Sequence, residues 1–341
     1  MDERICARYW IETAFPVDEV AQTIAREQSA HVESIRELDA VTAPSLPDAD
    51  LPAGLTGLPV YRRAELELSW PLANLGPSLP NLLAAVAGNL FELTHCSGLR
   101  LLDLTLPPAF AERYGGPQFG VAGTRKLADV HGRPVIGAAI EPGAGLTPEA
   151  AADTVRRLVE RGIDFIRDSE LLADGPHCPF DERLDAVMRV VNEAAERSGR
   201  KVMYAPNITG EIREMWRRHD RVVAAGGTCV MVSLNGIGLP GLAALRRHAA
   251  VAIHGHRNGW GLLRRSPAIG MSFLAWQKLW RVAGIDHLHV DGIASAAECL
   301  RPMFPAPTAG CEIMPAFPAG QPYGGLGSAD LICEEVSFGK R

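Results

Sequence analysis

Short apolar segments recur at regular intervals from residue 133 onward. Most are separated by longer stretches with apolar residues at helical spacing, for example PEAAADTVRRLVERG and FDERLDAVMRVVNEAAERSG. Strands that are apolar on both faces and alternate with helices are typical of a parallel sheet enclosed by helices. The segments that fit this pattern are PVIGAAIE, GIDFIRD, KVMYAPNI, CVMVSLNG, AVAIHGHR, DHLHVDG, EIMPAFPAG and ADLICEEV.

Eight strand candidates alternating with helices predict an α/β fold with a parallel (β/α)8 barrel of the TIM type over residues 123–341. A doubly wound open sheet is the alternative, but no GxGxxG turn follows the first candidate strand. The sequence stops soon after the last candidate strand. We therefore expect a barrel that is shortened at its C-terminus and lacks its last helix.

Residues 1–122 have a different pattern, in which short helical and strand signals mix with proline-rich turns. Residues 17–28 have helical spacing, and residues 78–91 predict a second helix capped by Ser78, with Pro80 in its first turn. The proline-rich segment 42–59 is typical of a loop. This region predicts a smaller α+β domain before the barrel.

The amino-acid composition argues against several classes of protein. Among 341 residues, 47% are hydrophobic and 22% charged, which is ordinary for a globular protein. A net charge of −6 without a basic block argues against nucleic acid as a partner. No apolar run reaches the ~18 residues that a membrane span needs, and the N-terminus has no signal-peptide core. Seven cysteines without a CxxC pair predict neither disulfides nor zinc, and favour the cytoplasm.

Polar residues at the carboxyl ends of barrel strands form the active site in proteins of this fold. Any one of them could instead cap a loop, but histidines and arginines that converge on one rim suit an anionic substrate. The strand-end residues are Glu141, Arg167, Asp168, Ser169, Glu170, Asn207, Asn235, His254, His256, Arg257, His287, His289 and Asp291.

Longer motifs resemble a known family. In order, they are AVAGNLF, LRLLDLTLPPAF, GPQFGV, GRPVIGAAIEPGAGL, GIDFIRDSE, MYAPNITG, IHGHRNGWG, AWQKLWRVAGIDHLHVDG and MPAFPAGQ. Together they resemble the RuBisCO large subunit, and more closely the RuBisCO-like (form IV) proteins that do not fix carbon dioxide. The resemblance extends from about residue 15 to 333 and implies an α+β domain followed by a barrel, paired head to tail as a homodimer.

The resemblance implies enolate chemistry on a phosphorylated keto-sugar or keto-acid, with Mg²⁺ stabilising the enediolate. The segments PHCPFDERLDAVMRVV and HRNGWG are most similar to the branch that cleaves or decarboxylates phosphorylated 3-oxo sugar acids. By resemblance, His256 shuttles protons and Glu141 or Glu170 serves as a carboxylate. Substrate and phosphate contacts fall to Arg257, His289 and Gly320, while Asn89 and Glu27 reach the site of a partner subunit.

The strand-2 motif departs from the family pattern. Where the family has a carbamylated lysine, an aspartate and a glutamate, this chain has Arg167, Ser169 and Glu170. Arg167 and Ser169 share one face of the strand, which we expect to line the mouth. A guanidinium stays protonated and Mg²⁺ needs carboxylate ligands, so we expect the family's metal to bind weakly or not at all. Arg167 is instead expected to pair with Glu170 or Asp168.

Three further departures concern catalysis. Glu141 replaces a lysine of the enolising members, and Gly143 stands where RuBisCO itself has a second lysine. After HVDG the chain passes through Ile293 into ASAAECLRPMF, without the family's lysine-bearing mobile loop. Glu334 and Glu335 lie near the expected phosphate-binding turn, where they would repel phosphate. These changes exclude carboxylation of ribulose bisphosphate and predict impaired lyase, hydrolase or isomerase chemistry.

Two other interpretations remain open from the sequence. One is a degenerate barrel that survives as a binding or scaffold protein, and the other is a truncated or frameshifted coding sequence. The missing last helix would leave an apolar flank, which adds a physical reason to expect a homodimer.

Overall fold

A computed structural model describes residues 3–141, 143–289, 311–313 and 332–335. It divides into two compact units. The first comprises Met1–Arg113 with Gly259–Leu279, and the second comprises Tyr114–Asn258 with Trp280–Arg341. No helix in the described residues is both long and apolar enough to span a membrane.

The described elements follow the chain in an order that starts with mixed strands and helices and continues as an alternation. The strands are β1 (Arg4–Thr13), β2 (His31–Val41), β3 (Tyr61–Pro71), β4 (Gly98–Thr105), β5 (Val135–Ala139), β6 (Phe165–Arg167), β7 (Met203–Ala205), β8 (Cys229–Ser233), β9 (Ala252–His256), β10 (Ile269–Met271), β11 (His287–Leu288), β12 (Cys311–Ile313) and β13 (Ile332–Glu335). The helices are α1 (Val17–Glu27), α2 (Leu72–Leu75), α3 (Leu79–Ala87), α4 (Pro108–Tyr114), α5 (Gly120–Ala128), α6 (Pro148–Glu160), α7 (Phe180–Ser198), α8 (Ile212–Ala224), α9 (Leu234–His248), α10 (Gly261–Arg264) and α11 (Phe273–Ala283).

The first unit is built on a five-stranded sheet in the order β10-β4-β1-β3-β2. Its pairs are antiparallel except β10 with β4. Alternate residues of β1 are buried, as expected for a strand with one covered face. Among them, Tyr9 is fully buried and its hydroxyl donates to the carbonyl oxygen of Val86 at the end of α3 (2.9 Å).

The two helices predicted in this unit are confirmed, but the second ends earlier than expected. The side chain of Ser78 accepts a hydrogen bond from the backbone N–H of Asn81 at the start of α3, as its capping position predicted. The helix then ends at Ala87, and a 3₁₀ turn covers Asn89–Glu92. A Cβ atom on Gly88 would lie 2.4 Å from the carbonyl oxygen of Ala84, so the change of direction requires glycine here.

The second unit contains the predicted parallel strands. One sheet has the order β12-β13-β5-β6-β7 and another β11-β9-β8, and a parallel bridge between Asn207 and Met231 connects the end of β7 to β8. All of these pairs are parallel except β12 with β13. The last parallel strand, β13, thus pairs with the first, β5. That return of the sheet on itself is consistent with a TIM-type barrel.

One of the eight predicted parallel strands is wrong in direction. In the segment EIMPAFPAG, the part that the structure describes belongs to β12, which runs antiparallel to β13. A parallel neighbour needs a crossover of a dozen or more residues, usually a helix. The sequence 314–331 contains three prolines and four glycines and has no helical spacing.

Phe165 marks the interior face of β6. It belongs to a buried apolar cluster with residues of β5, β7, β8 and β9, and its ring lies 5.2 Å from that of His254 and 6.2 Å from that of His287 (centroid distances). Because side chains alternate along a strand, Arg167 lies on the same interior face, two residues nearer the carboxyl end. The interior of the unit is thus apolar at its base and becomes polar toward the strand ends.

Candidate active site

The end of β6 supplies three polar side chains. Arg167 and Ser169 are buried, with 5% and 2% of their surface exposed. The guanidinium Nη1 of Arg167 donates to the backbone carbonyl oxygen of Asp168 (3.1 Å), and the hydroxyl of Ser169 donates to Oε2 of Glu170 (3.4 Å). Glu170 is partly exposed. The structure thus places a buried positive charge below a carboxylate that solvent can reach.

The side chain of Asp168 lies on the opposite face of the strand. Its Oδ2 accepts hydrogen bonds from Nε of Arg183 (3.1 Å) and from the backbone N–H of Asn207 (2.8 Å), and its Oδ1 accepts from the hydroxyl of Tyr204 (2.6 Å). Arg167 was expected to pair with Glu170 or Asp168, and the ion pair that the structure gives Asp168 is with Arg183. Alternation along the strand turns this carboxylate outward, where the fully buried Arg183 neutralises it.

Glu170 meets His256 at the mouth. Oε2 of Glu170 lies 3.7 Å from Nε2 of His256, and the rings of His256 and His289 are 4.9 Å apart. Nδ1 of His256 accepts a hydrogen bond from the backbone N–H of Asn258 (3.2 Å). An imidazole nitrogen that accepts is unprotonated, so the neutral ring carries its proton on Nε2, toward Glu170. Two candidates predicted from separate strands are thus brought together.

His256 is held in its neutral form. Burial, the neighbouring His289 and the charge of Arg167 lower the pKa of His256 to about 3, although Glu170 acts in the opposite direction. The imidazole therefore remains a neutral hydrogen-bond donor near neutral pH.

Asn207 fixes the backbone that carries Glu170. Its side-chain amide donates to the carbonyl oxygens of Ser169 and Glu170 (3.2 Å each). Its Oδ1 accepts from the hydroxyl and the backbone N–H of Thr209 (2.6 and 3.1 Å), and that hydroxyl in turn accepts from the backbone N–H of Ser233. Three consecutive strand ends are thus tied together beneath the carboxylate.

His254 and His287 lie deeper than the sequence suggested. Both are fully buried beside Phe165 in the interior, and Nε2 of His287 lies 2.5 Å from the hydroxyl of Thr124. Burial lowers the pKa of His287 to about 4 and that of His254 well below its usual range. Their assignment to the mouth is wrong, because positions two residues apart share a face but lie at different depths.

The other predicted residues are dispersed. Glu141 and Asn235 are exposed and Arg257 is half-buried. In the first unit, Glu27 and Asn89 line one pocket of about 330 Å³, together with Gln28, Ala84, Gly88 and Leu93. Asp291 and Gly320 lie outside the described residues, and so does the predicted loss of the mobile loop after the sixth strand.

Comparison with known proteins agrees with this architecture. The family model "Ribulose bisphosphate carboxylase large chain, catalytic domain" matches residues 120–298, and its N-terminal-domain counterpart matches residues 62–110. A curated relative from Xanthobacter autotrophicus, named 3-oxo-isoapionate-4-phosphate transcarboxylase/hydrolase, is 50% identical over 97% of this chain and 87% of its own length. The chain belongs to the RuBisCO large-chain family.

Two other members of the family support this assignment. A 3-oxo-isoapionate-4-phosphate decarboxylase from Rhizobium rhizogenes is 36% identical over 86% of this chain and 69% of its own. Among solved structures, a rubisco-like protein from Burkholderia fungorum has a TM-score of 0.79 at 45% identity, and covers 83% of this chain and 72% of its own. The predicted resemblance to RuBisCO-like proteins, as distinct from carbon-fixing RuBisCO, is thereby confirmed.

At the position of RuBisCO's second lysine, this chain differs in the space available as well as in the residue. A Cβ atom on Gly143, where RuBisCO itself has a lysine by resemblance, would lie 2.3 Å from Oγ of Ser169. The loops after β5 and β6 therefore approach too closely for any side chain at this position unless one of them moves.

The described residues do not fit the family's Mg²⁺. Mg²⁺ prefers about six oxygen ligands in octahedral geometry, anchored by carboxylates. At the end of β6, the carboxylate of Asp168 is turned outward and hydrogen-bonded to Arg183, and Glu170 lies beside His256. The buried guanidinium of Arg167 stands on the metal's side of the strand and would repel a dication.

Sequence reasoning missed Arg183, Tyr204 and Thr209. Each acts by hydrogen bonding to a residue that was singled out, either Asp168 or Asn207. The available signal was the alternation that turns Asp168 outward, which implies a buried cation in the neighbouring helix to neutralise it.

Proposed function

We propose that this protein is a RuBisCO-like enzyme that breaks a carbon–carbon bond next to the keto group of a phosphorylated 3-oxo sugar acid. The observation that carries the proposal is the pairing of neutral His256 with Glu170 at 3.7 Å, above the buried Arg167. The named activities of the relatives from Xanthobacter autotrophicus and Rhizobium rhizogenes support the choice of substrate class.

The chemistry follows from charges that develop during the reaction. Breaking a bond next to a keto group leaves an enolate, which needs a hydrogen-bond donor for its oxygen and a group that delivers a proton to its carbon. The Nε2–H of His256 donates to the oxygen without releasing its proton, because burial keeps the ring neutral. Glu170 is accessible to solvent and carries the proton.

Anion binding is assigned to the basic side chains of the rim. Arg257 and His289 hold the phosphate, as the family resemblance implies, and the substrate's remaining negative charge lies toward Arg167. We assign no step to a metal ion, since the residues at the end of β6 do not fit one. Glu141 is exposed and is given no role in this scheme.

A homodimer completes the proposal. Glu27 and Asn89, which the resemblance assigns to a partner's site, line the same pocket although they are far apart in sequence. A single pocket is what joint action on one bound molecule requires. The cysteines described as free, namely Cys6, Cys96, Cys178 and Cys229, support a reducing cytoplasm as its location.

The test is direct assay of the purified protein with 3-oxo-isoapionate 4-phosphate in the presence of EDTA. We expect the carbon–carbon bond to be broken, and ¹³C NMR of the products detects this. Glu170→Gln and His256→Asn should each slow it by at least about 10²-fold, while Glu160→Gln, at the end of α6, should leave it unchanged. Turnover that needs added Mg²⁺, or that survives both site substitutions, would contradict the proposal.

A degenerate barrel that binds without catalysis is the second candidate. One observation favours it: the alignment to the Xanthobacter autotrophicus relative spans 370 positions, more than the 341 residues of this chain, so the relative has positions without a counterpart here. Loss of residues that close over a substrate would reduce catalysis more than binding. Calorimetric binding of the same substrate with no product formed would identify this case.

A further inference from the structure

Ser233, at the carboxyl end of β8, carries a buried hydroxyl that the described part of the chain does not use. Only 4% of Ser233 is exposed, and its Oγ has no hydrogen-bond partner among the residues that the structure describes. Most buried hydroxyls are hydrogen-bonded, because removing such a group from water without a partner costs free energy. An exception at the carboxyl end of a barrel strand points to a group that a ligand satisfies.

The alternation of side chains along β8 directs this hydroxyl into the mouth. Cys229 and Met231 belong to the buried apolar cluster of the interior, and Ser233 is the next position on that face. The residue that follows, Leu234, lies on the other side of the sheet. A Cβ atom on Gly255, on the outer face of β9, would lie 3.0 Å from Cδ1 of Leu234. Ser233 therefore faces inward at the level where the strands end.

The neighbours of Ser233 are the residues of the candidate active site. In the parallel pair of β8 with β9, Ser233 is in register with His256, and adjacent strands are about 4.8 Å apart. β8 lies between β7 and β9, while the 3.7 Å contact of Glu170 with His256 joins the end of β6 to the end of β9. The hydroxyl thus lies beside His256, within the arc of strand ends that this contact spans.

The backbone of Ser233 is fixed, whereas its hydroxyl is not engaged. Its N–H donates to Oγ1 of Thr209 (2.8 Å), and the Thr209 hydroxyl donates to Oδ1 of Asn207. Ser233 is also the N-cap residue of α9, where a serine commonly accepts from an N–H of the first turn. Here the side chain makes no such hydrogen bond. A held backbone with an unengaged hydroxyl is the arrangement of a preorganised binding group.

We propose that Ser233 is a specificity-determining residue of this site, and that its hydroxyl binds a hydroxyl group on the substrate carbon next to the keto carbon. The inference rests on the function proposed above, because it takes His256 as the group that holds the keto oxygen. Oxygens on adjacent carbons of a sugar acid lie side by side, so the second oxygen reaches the adjacent strand, β8. A serine hydroxyl both donates and accepts, and it therefore matches another hydroxyl without a change of charge.

The contact selects the substrate and takes no part in bond breakage. When an acid without that hydroxyl enters a site built to bind one, the polar group of the protein remains unpaired. Keto acids that are apolar at this carbon are therefore bound less well than hydroxylated ones. Replacement of Ser233 by alanine removes the unpaired group together with the discrimination.

Binding of two inert acids tests the contact without turnover. The acids are 4-phosphoerythronate and 4-phosphooxybutanoate, which have the same chain length and charged groups, although the second has no hydroxyls. Calorimetry in EDTA should show that the wild-type protein prefers the hydroxylated acid. In Ser233→Ala this preference should fall by about threefold to tenfold, the value of one hydrogen bond between neutral groups. Binding of 4-phosphooxybutanoate should not weaken.

Urea denaturation distinguishes a binding hydroxyl from a structural one. Ser233→Ala should leave the midpoint unchanged or raise it, since a buried polar group without a partner is removed. Ser97→Ala is the matched control. Ser97 is also fully buried, but its Oγ donates to the backbone carbonyl oxygen and to Oε1 of Glu12 (3.1 and 3.0 Å). This variant should lower the midpoint and leave the preference between the two acids unchanged.

The outcomes separate this inference from the proposed function. A preference that Ser233→Ala retains, as expected if water alone satisfies the hydroxyl, overturns the inference, and so does a wild type that binds neither acid. A midpoint lowered as far as in Ser97→Ala assigns the hydroxyl to the fold and also overturns it. If 3-oxo-isoapionate 4-phosphate is still turned over in any of these cases, the proposed function stands. A preference that depends on Ser233, without any turnover, supports the contact and contradicts the proposed function.

Discussion

The two ends of the parallel strands in the second unit hold their carboxylates differently. At the base, Asp164 precedes β6 and accepts from Arg133, Arg200 and the backbone N–H of Ile136, at 2.5–2.9 Å. At the mouth, Glu170 and His256 are 3.7 Å apart, a loose contact. Asp164 is thus saturated by the chain itself, whereas the carboxylate of Glu170 is held loosely by Ser169 and His256 and can be reached by solvent.

Asp286 repeats the pattern at the base of β11. Its two carboxylate oxygens accept from Arg246 and from the backbone N–H groups of Phe119, Gly120 and Ile253. Such a residue serves the fold, since every oxygen is used within the chain. Hydrogen-bond saturation and burial together set Asp164 and Asp286 apart from Glu170, to which we assign a catalytic role.

The largest effect is expected at the base. Asp286→Ala leaves Arg246 buried without its counter-charge and should lower the free energy of unfolding by about 3–5 kcal/mol. Urea denaturation measures the loss. Asp153→Ala, which removes an exposed partner of Arg156 on α6, is the control and should change stability by less than about 1 kcal/mol. Equal effects of the two substitutions would refute the distinction.

At the mouth the expected effect is on rate. His256→Asn should reduce kcat on the proposed substrate by about 10²–10³-fold, as the loss of a hydrogen-bond donor to a developing negative oxygen does, with little change in unfolding free energy. Steady-state kinetics and urea denaturation on the same preparation give both values. Destabilisation comparable to that of Asp286→Ala, with kcat intact, would assign His256 to the fold.

Acid should weaken the whole interior through its neutral histidines. The pKa values of His254, His256 and His287 are lowered by burial, to about 3 for His256 and about 4 for His287. The unfolded chain therefore binds more protons, and stability that is complete above the ordinary histidine pKa of about 6.5 is lost as pH falls below it. Each group contributes a slope of up to about 1.4 kcal/mol per pH unit.

The pH dependence can be assigned by substitution. Urea denaturation between pH 7 and 5 should show a slope that becomes smaller in His254→Phe, which removes one titrating ring from an apolar site. Carboxylates whose pKa is lowered, such as Asp164, act in the same direction but only at lower pH, below their usual range. A slope that is flat from pH 7 to 5, or unaltered by the substitution, would contradict the neutral interior.

The periodicity of apolar residues was sufficient to predict much of the fold, and the longer sequence motifs were sufficient to predict the family. The spacing of apolar residues predicted α1 and α3, and the alternation of strands predicted the parallel arrangement of β5, β6, β7, β8, β9 and β11. The direction of β12 could not be predicted in this way. Whether two strands pair parallel or antiparallel depends on the segment that connects them, and a strand of three residues is too short to show a periodic pattern of apolar residues.

Within the site, the sequence indicated which residue types gather at the strand ends but not how they pair. The partner of Asp168 is Arg183, on the following helix, and no local pattern links them. Depth was equally hidden: His254 and His256 have the same residue type and face, yet one lies beside Phe165 and the other beside Glu170. The shared pocket of Glu27 and Asn89 required the three-dimensional fold.

The smallest predicted effect concerns the close approach of two mouth loops. In Gly143→Ala the new Cβ would lie 2.3 Å from Oγ of Ser169, so one loop must shift, at a cost of about 1–3 kcal/mol, the range typical of overpacking. Ser169→Gly in the same chain removes the obstructing hydroxyl and should recover most of the loss. Ser169→Gly alone is the control. An alanine that is tolerated in the wild-type background would mean that the loops are held apart, in which case a longer side chain at position 143 could be accommodated. The double mutant therefore decides whether the mouth is closed to the family's second lysine by packing or by sequence alone.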